Sequence, residues 1–158
     1  ADRGAGGQYV NPVEETVPDR FTMRRLHVVD AVSRARIAAA LADGLSGESD
    51  VAFAFLYGSF VDSEAFHALD VGVYLRSGQS GLLYGALLSQ RLSERVGVPV
   101  DARVLNGAPV SFLYHVLRGQ VVLSRDDELL GDLMERTVQR YLDISPLLRR
   151  SAREAFAW

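Results

Sequence analysis

Cysteine is absent from the 158-residue chain, and that absence removes several kinds of chemistry at once. Disulfide bonds, thiolate nucleophiles and cysteine-based metal sites are all excluded. No apolar run reaches the roughly 18 residues that a membrane-spanning helix requires. The first residues also contain no apolar core of the kind found in signal peptides. We therefore expect a cytoplasmic protein.

Features that mark other classes of site are also missing. The three histidines, His27, His67 and His115, share no spacing that is typical of a zinc site. The Gly-x-Ser-x-Gly elbow of the α/β-hydrolases does not occur. A net charge of −3 disfavours a dedicated nucleic-acid surface. With 48% hydrophobic and 23% charged residues, the composition predicts one ordinary globular domain.

The first informative pattern is an apolar run that ends in Gly-Ser. Val51–Tyr57 (VAFAFLY) is rich in aromatic and branched side chains, which is typical of a strand buried on both faces. At its end, Gly58 lets a ligand approach the backbone closely and Ser59 supplies a hydroxyl. On its own, this dipeptide indicates an ordinary turn more often than a phosphate site.

Two later apolar runs each contain an acid that needs an explanation. Residues 69–75 (LDVGVYL) contain Asp70, and residues 98–105 (VPVDARVL) contain Asp101. A charge in a buried strand is costly unless it is paired or bound to a metal. Two acids from neighbouring strands can hold Mg²⁺ or Mn²⁺ against a nucleoside triphosphate. Arg103 shares a strand face with Asp101 and either neutralises it or contacts phosphate.

Gly58-Ser59, a spacer of ten residues, Asp70 and then Asp101 on a later strand resemble the small nucleotidyltransferases of the DNA polymerase beta superfamily, in particular the minimal nucleotidyltransferases. The resemblance covers the chain from about residue 25 to its C terminus. It implies an α/β (α+β) nucleotidyltransferase fold, with a small mixed sheet flanked by helices. Members of this family commonly accompany a HEPN-type protein as the antitoxin of a toxin–antitoxin pair.

The resemblance also implies a chemistry. Gly58 and Ser59 would bind the nucleotide, and Asp70 and Asp101 would be the catalytic residues and the ligands of Mg²⁺ or Mn²⁺. The reaction would transfer AMP from ATP to a hydroxyl of a partner protein. A small-molecule nucleotidyltransferase of the aminoglycoside type is disfavoured, because no second substrate-binding domain is evident.

Position 72 departs from the family pattern. The second acid of an Asp-x-Asp pair belongs there, and this chain has Gly72. One metal ligand and one negative charge are lost, although a single ion arriving with the triphosphate needs only one or two carboxylates from the protein. Two hypotheses stay open, a working transferase and an impaired member that acts as a nucleotide- or partner-binding antitoxin or scaffold. Asp62 and Glu64, in the spacer, are alternative sources of an acid.

The rest of the chain predicts helices around this sheet. Residues 1–24 lack a periodic apolar pattern and predict a flexible extension before a domain at 25–158. Within this domain, apolar periodicity and turn residues predict helices at 30–45, 81–96 and 109–117 and a short strand at 121–123. The first half of the helix at 81–96 is apolar nearly all round, and we expect it to be buried.

The C-terminal part predicts two further helices. Ser124 is the predicted N-cap of the first, and Ser145-Pro146 is predicted to start the second. Apolar residues near the end either complete the core or form a surface for another subunit, so a homo-oligomer is one expectation. These residues are Leu147, Leu148, Phe156 and Trp158.

Overall fold

The sheet is built around β2 (Val51–Tyr57), whose seven residues are all buried. Its antiparallel neighbours are β4 (Leu69–Leu75) and β6 (Gln120–Ser124), and β5 (Val100–Val104) pairs with β4 in parallel. The resulting order is β5-β4-β2-β6. The structure is a computed structural model that describes residues 25–78 and 81–156, so the predicted extension at 1–24 lies outside the described residues.

Five helices and a second, two-stranded sheet complete the described part of the chain. Strand β1 pairs with β3 in antiparallel orientation and forms this small sheet. The predicted mixed α/β architecture, a small sheet flanked by helices, is confirmed. The remaining elements are β1 (His27–Val28), α1 (Ala31–Ser46), α2 (Ser59–Asp62), β3 (Ala65–Phe66), α3 (Gly81–Val96), α4 (Val110–Leu117) and α5 (Asp127–Phe156).

Alternation along the strands divides the core into two layers. On β4, Val71 and Val73 pack with residues of α1 and α3 in one apolar cluster. The opposite face of the sheet packs with α4 and α5, and Phe53 and Phe55 are buried there. Asp70 and Gly72 alternate with the two valines, so they belong to the face that α4 and α5 cover. The carboxylates of the site therefore lie on that face.

Helix α3 has its predicted bounds, but the expectation that its first half is buried is wrong. Leu82 and Leu83 are 88% and 71% exposed. The helix lies so close to β5 that a Cβ on Gly85 would be 3.0 Å from the carbonyl oxygen of Ala102. The small residues of α3 face the strand, and the leucines beside them point away from it.

Two serines of α3 satisfy the outer edge of β5. The Oγ of Ser93 accepts a hydrogen bond from the N–H of Val100 at 2.8 Å, and the Oγ of Ser89 accepts one from the N–H of Ala102 at 2.8 Å. Each hydroxyl donates in turn to a carbonyl of its own helix, at 2.6 Å and 2.7 Å. Backbone groups that an edge strand would leave open are therefore paired here.

Helix α5 corrects both predictions for the C-terminal part. Asp126, and not Ser124, is the N-cap, because its Oδ1 accepts a hydrogen bond from the N–H of Leu129 at 3.0 Å. Ser124 instead donates its hydroxyl to Asp127 Oδ1 at 2.5 Å. No new helix starts at Ser145-Pro146, since α5 continues through Pro146 to residue 156. Pro146 is exposed, and its missing N–H leaves one carbonyl of the preceding turn without its usual helical partner.

The two halves of α5 differ in what they contact. Leu130, Leu133 and Thr137 are buried, and the ring of Tyr141 stacks on that of Tyr114 with 3.7 Å between centroids. Farther along, three leucines are exposed, by 64% at Leu142, 63% at Leu147 and 46% at Leu148, whereas Ile144 is half-buried. Leu147 and Leu148 are therefore not core residues, and a contact with another subunit stays a prediction. Trp158 and the side chain of Phe156 lie outside what the structure describes. No helix in the described ranges is long and apolar enough to cross a membrane.

Candidate functional site

The site begins where β2 ends, at a corner that requires glycine. Gly58 has a φ of +79°, in the left-handed region that favours glycine. A Cβ at this position would also overlap Oδ2 of Asp70. The carboxylate of Asp70 therefore lies directly against the backbone of the corner, and Ser59 follows as the first residue of α2.

The spacer after the corner is fixed by a residue that the sequence did not single out. Arg34 of α1 donates from its guanidinium to the carbonyl oxygens of Phe60, Ser63 and Glu64, the last two at 2.7 Å and 2.6 Å. Its Cζ also lies 4.8 Å from the centroid of the Phe60 ring. Because one guanidinium holds three carbonyls, the backbone between the two halves of the motif has a defined course.

Asp70 and Asp101 lie side by side. They are direct partners in the parallel register of β4 and β5, so both side chains point to the same face of the sheet. Tyr57 is the partner of Asp70 on the other side. The structure thus brings together Gly58, Asp70 and Asp101 as the sequence predicted, and their roles in binding and catalysis stay predictions.

The pKa values of Asp70 and Tyr57 reflect the burial of the corner and the charges around it. Burial, and then the charge of Asp101, raises the pKa of Asp70, whereas Arg103 and His115 lower it. Burial and then the charge of Asp70 raise the pKa of Tyr57 to about 12. The corner is therefore a partly desolvated place in which an opposite charge is favoured.

Arg103 supplies such a charge. Its Nε donates to Oδ2 of Asp101 at 3.3 Å, so the predicted ion pair between these residues is confirmed. The side chains of Arg103 and Asp101 are 58% and 36% exposed. Contact between Arg103 and a phosphate stays a prediction.

Position 72 is closed by apolar side chains. A Cβ on Gly72 would lie 2.8 Å from Cγ1 of Val116 and 2.9 Å from Cδ2 of Leu105, which is too close for a carboxylate to fit without repacking. No group of three metal-ligating side chains occurs within residues 25–78 and 81–156. The residues present therefore do not fit a two-ion site, and binding of one Mg²⁺ or Mn²⁺ by Asp70 and Asp101 stays a prediction.

Two cavities flank the carboxylates. One, of about 220 Å³, includes Gly58, Asp62, His115 and Arg118 in its lining. The other is a groove of about 600 Å³ between α3 and β5, and its lining includes both Asp101 and Arg103.

Among the other candidates, Asp62 lines a cavity next to the corner and Glu64 is exposed, with its carbonyl held by Arg34. His67 is exposed as well. No pattern in the sequence pointed to His115 or Arg118 as site residues. They reach the site only because α4 packs on this face of the sheet, which is a long-range contact without a local signal.

Several solved structures with a similar fold come from toxin–antitoxin complexes. A chain from the Shewanella oneidensis complex of a tri-AMPylated HEPN toxin with an MNT antitoxin is 15% identical, with a TM-score of 0.59 over 80% of this chain and 98% of that one. The toxin–antitoxin MntA-HepT gives 15% identity and 0.59 over 81% and 100%. A toxin–antitoxin with AMP-PNP gives 17% identity and 0.59 over 78% and 98%. These similarities confirm the predicted nucleotidyltransferase fold.

The sequence comparisons agree with the fold. No curated protein matches the chain significantly. The sequence profile of the family described as "Polymerase beta, Nucleotidyltransferase" matches residues 40–128, which is more than half of the chain and includes Gly58, Ser59, Asp70 and Asp101. The chain therefore belongs to the polymerase beta nucleotidyltransferase family.

Proposed function

We propose that this chain binds a nucleoside triphosphate, ATP, at the corner formed by Gly58, Ser59, Asp70 and Asp101, and that it acts by binding a HEPN-type partner protein. In this proposal it is an antitoxin-like member of the family that lacks the full carboxylate set for nucleotidyl transfer. The observation that carries it is the closure of position 72 by Val116 and Leu105.

The nucleotide part of the proposal is supported by what the corner retains. Gly58 lines the cavity of about 220 Å³, and the carboxylates of Asp70 and Asp101 lie beside the corner in register. A structure with the same fold contains AMP-PNP, a triphosphate analogue. Arg103 and Arg118 supply positive charge on either side of the corner.

Loss of transfer is supported by two features of the same face. Two-ion phosphoryl transfer needs carboxylates that grip both ions, and the second of the i, i+2 pair has no room here. In addition, Oδ2 of Asp101 is engaged by the guanidinium of Arg103. One oxygen of the remaining pair is thus less available to an ion or to an acceptor hydroxyl.

The partner part is supported by the exposed half of α5. Leu142, Leu147 and Leu148 present exposed apolar side chains on the part of the helix that follows Tyr141, whose ring stacks on that of Tyr114 in α4. Two of the structures with this fold are complexes of an antitoxin with its toxin, and a HEPN toxin is named in one. We therefore assign this surface to a HEPN-type protein; a cytoplasmic location stays a prediction.

The test incubates the chain with labelled ATP, Mg²⁺ and a co-expressed HEPN-type protein. We expect ATP to raise the melting temperature of the chain, because it binds the folded state, and we expect no label on the partner. The double variant Gly72→Asp with Val116→Ala restores the acid and removes the nearer of the two side chains that close the position, and it should gain transfer. Val116→Ala alone is the matched control. Absence of a thermal shift with ATP would contradict the nucleotide part.

Partner binding is tested separately on α5. Leu142→Glu combined with Leu148→Glu should abolish co-purification of the HEPN-type protein, because each change places a charge in an apolar contact. Gln139→Glu, which adds a charge at an exposed position of the same helix, should leave co-purification unchanged. Retention of the partner by the double variant would show that α5 is not the contact surface.

A second candidate function is AMP transfer from ATP to a hydroxyl of the partner. The register that places Asp70 beside Asp101 favours it, and one similar structure contains an AMPylated HEPN toxin. In this case Asp70 and Asp101 are the catalytic residues and Mg²⁺ ligands. The natural chain would label its partner, and Asp101→Ala would abolish the label.

A further inference from the structure

Arg103 is a positively charged residue next to position 72, where the family pattern has an acid. In the register of β4 and β5 it is the direct partner of Gly72, on the sheet face that carries Asp70 and Asp101. A basic side chain therefore faces the very position that lost its acid. Gly72 and Arg103 lie next to each other in space although they are far apart in the sequence.

The guanidinium of Arg103 is held at one end and open at the other. Its Nε donates to Asp101, and its Cζ lies 5.6 Å from the centroid of the Phe112 ring. Among the described residues, no acceptor lies within hydrogen-bonding distance of its two Nη atoms. Those donors form a planar fork that matches the oxygens of a phosphate.

The field of Arg103 reaches the rest of the corner. Its positive charge lowers the pKa of Asp70, and it opposes the effect of burial on the pKa of Tyr57. Across the site, Arg118 lines the cavity of about 220 Å³ beside the corner. A polyanion at the corner would therefore meet fixed positive charge from two directions.

The same arrangement leaves little for a divalent ion to bind. The position of a further carboxylate is filled by apolar side chains, and one oxygen of Asp101 already faces a cation. Mg²⁺ is usually held by one or two carboxylates together with waters and substrate phosphates, and here one of the two carboxylates is already paired with Arg103.

We propose that Arg103 is the resident cation of this site, and that it binds the phosphates of a nucleoside triphosphate directly, so that binding does not require a divalent metal. This inference rests on the proposed function, because it states how the same corner recognises its ligand. It differs from that function in a measurable way, since ATP could bind the corner with or without a metal.

The test is calorimetric titration of the full chain with ATP, once in EDTA and once in Mg²⁺. We expect the two dissociation constants to agree within about threefold. In EDTA, Arg103→Gln should weaken binding by about tenfold or more, as expected for the loss of charge-assisted hydrogen bonds. Arg103→Lys keeps the charge but loses the planar fork, and it should give an intermediate loss.

The control is Arg136→Gln, an exposed arginine of α5 whose Nε contacts only a carbonyl of its own helix, and it should bind like the natural chain. Binding by the natural chain in Mg²⁺ but not in EDTA would overturn the role of Arg103 and leave the proposed nucleotide binding intact. Absence of binding in both conditions would overturn both. Should Arg103→Gln fail to fold, the comparison of EDTA with Mg²⁺ on the natural chain still decides.

Discussion

At the scale of single residues, two glycines shape this site because neither has a Cβ atom. Without a Cβ, Gly58 leaves room for the carboxylate of Asp70 against the backbone. Without a Cβ, Gly72 lets Val116 and Leu105 close over the sheet. The same residue type therefore opens the corner in one place and seals the face in another, and the sequence alone could not distinguish the two uses.

The tight packing around Gly72 predicts that Gly→Ala substitutions will change stability differently at Gly72 and at Gly131. Gly72→Ala should lower the free energy of unfolding by about 1–3 kcal/mol, because the new Cβ is forced against two packed side chains. The matched control is Gly131→Ala on α5, where a Cβ meets nothing within 4 Å and alanine favours the helix. It should raise stability by up to about 1 kcal/mol. Denaturant unfolding measures both, and equal effects would contradict the packing described.

The raised pKa of Asp70 predicts a pH dependence. The pKa of this carboxyl is 3.8 in the unfolded chain and higher in the folded chain, so the folded chain holds the proton more tightly. Stability therefore falls as pH rises from 3.8 through the higher pKa of the folded state, and the loss persists above it. Asp70→Asn removes this loss.

Unfolding free energies of both proteins, measured at about pH 4 and about pH 7, check this prediction. The difference between Asp70→Asn and the natural chain should shift in favour of the variant at the higher pH. A shift in the opposite direction would mean that the carboxylate is stabilised by the fold. In that case the basic groups near Asp70 would outweigh its burial.

At the scale of elements, the most informative contact is that of α3 with the edge of β5. Hydrophobic periodicity predicted the bounds of α3 because glycine and proline end the pattern at Gly97 and Pro99. It did not predict burial, since the neighbour is a strand edge that accepts glycine and serine and leaves Leu82 and Leu83 outside. Periodicity shows which residues share a helix face, but the neighbouring element decides which face is buried.

Loss of the Ser89 hydroxyl should cost more than its size indicates. Ser89→Ala leaves the N–H of Ala102 without its partner, and we expect the free energy of unfolding to fall by about 1–2 kcal/mol. Ser46→Ala is the control, because that hydroxyl only donates to a carbonyl of its own helix, Asp43 O, at an exposed position. It should change stability by less than about 0.5 kcal/mol. Equal changes in thermal unfolding would show that the strand edge is satisfied in another way.

At the scale of the whole molecule, Arg125 joins the end of α1, the start of β2 and the turn before α5. Its guanidinium donates to the carbonyl oxygens of Glu48 and Val51, at 2.9 Å and 2.7 Å, and also to that of Ser46. Its backbone N–H donates to Ala52 at 2.8 Å. Segments far apart in the sequence thus meet at one side chain.

Removal of this link should weaken the whole fold. Arg125→Ala should lower the free energy of unfolding by about 1–2 kcal/mol, because carbonyl groups lose a charged donor. Arg150→Ala, which removes an exposed i, i+4 ion pair with Glu154, is the control and should cost less than about 0.5 kcal/mol. Chemical denaturation followed by circular dichroism compares them, and a loss no larger than that of the control would contradict the role of Arg125.

Local patterns in the sequence were sufficient for the acids and the corner. The embedded charges of Asp70 and Asp101 and the Gly-Ser end of β2 are visible as exceptions within apolar runs. The pairing of Gly72 with Arg103 depends on the register of two strands, and the approach of His115 depends on how α4 packs. Neither contact follows from spacing along the chain. The positive charges next to Asp70 and Gly72 could therefore be identified only from the structure.

Strand β2 has a consequence for the synthesis of the protein. It is apolar throughout and buried on both faces, and one of its two neighbours, β6, is made only when Gln120–Ser124 leaves the ribosome. Until then the nascent chain exposes an apolar strand with one unpaired edge, which can pair with other chains and aggregate. The yield of soluble protein should therefore depend on growth temperature and chaperone supply more than on the stability of the finished fold.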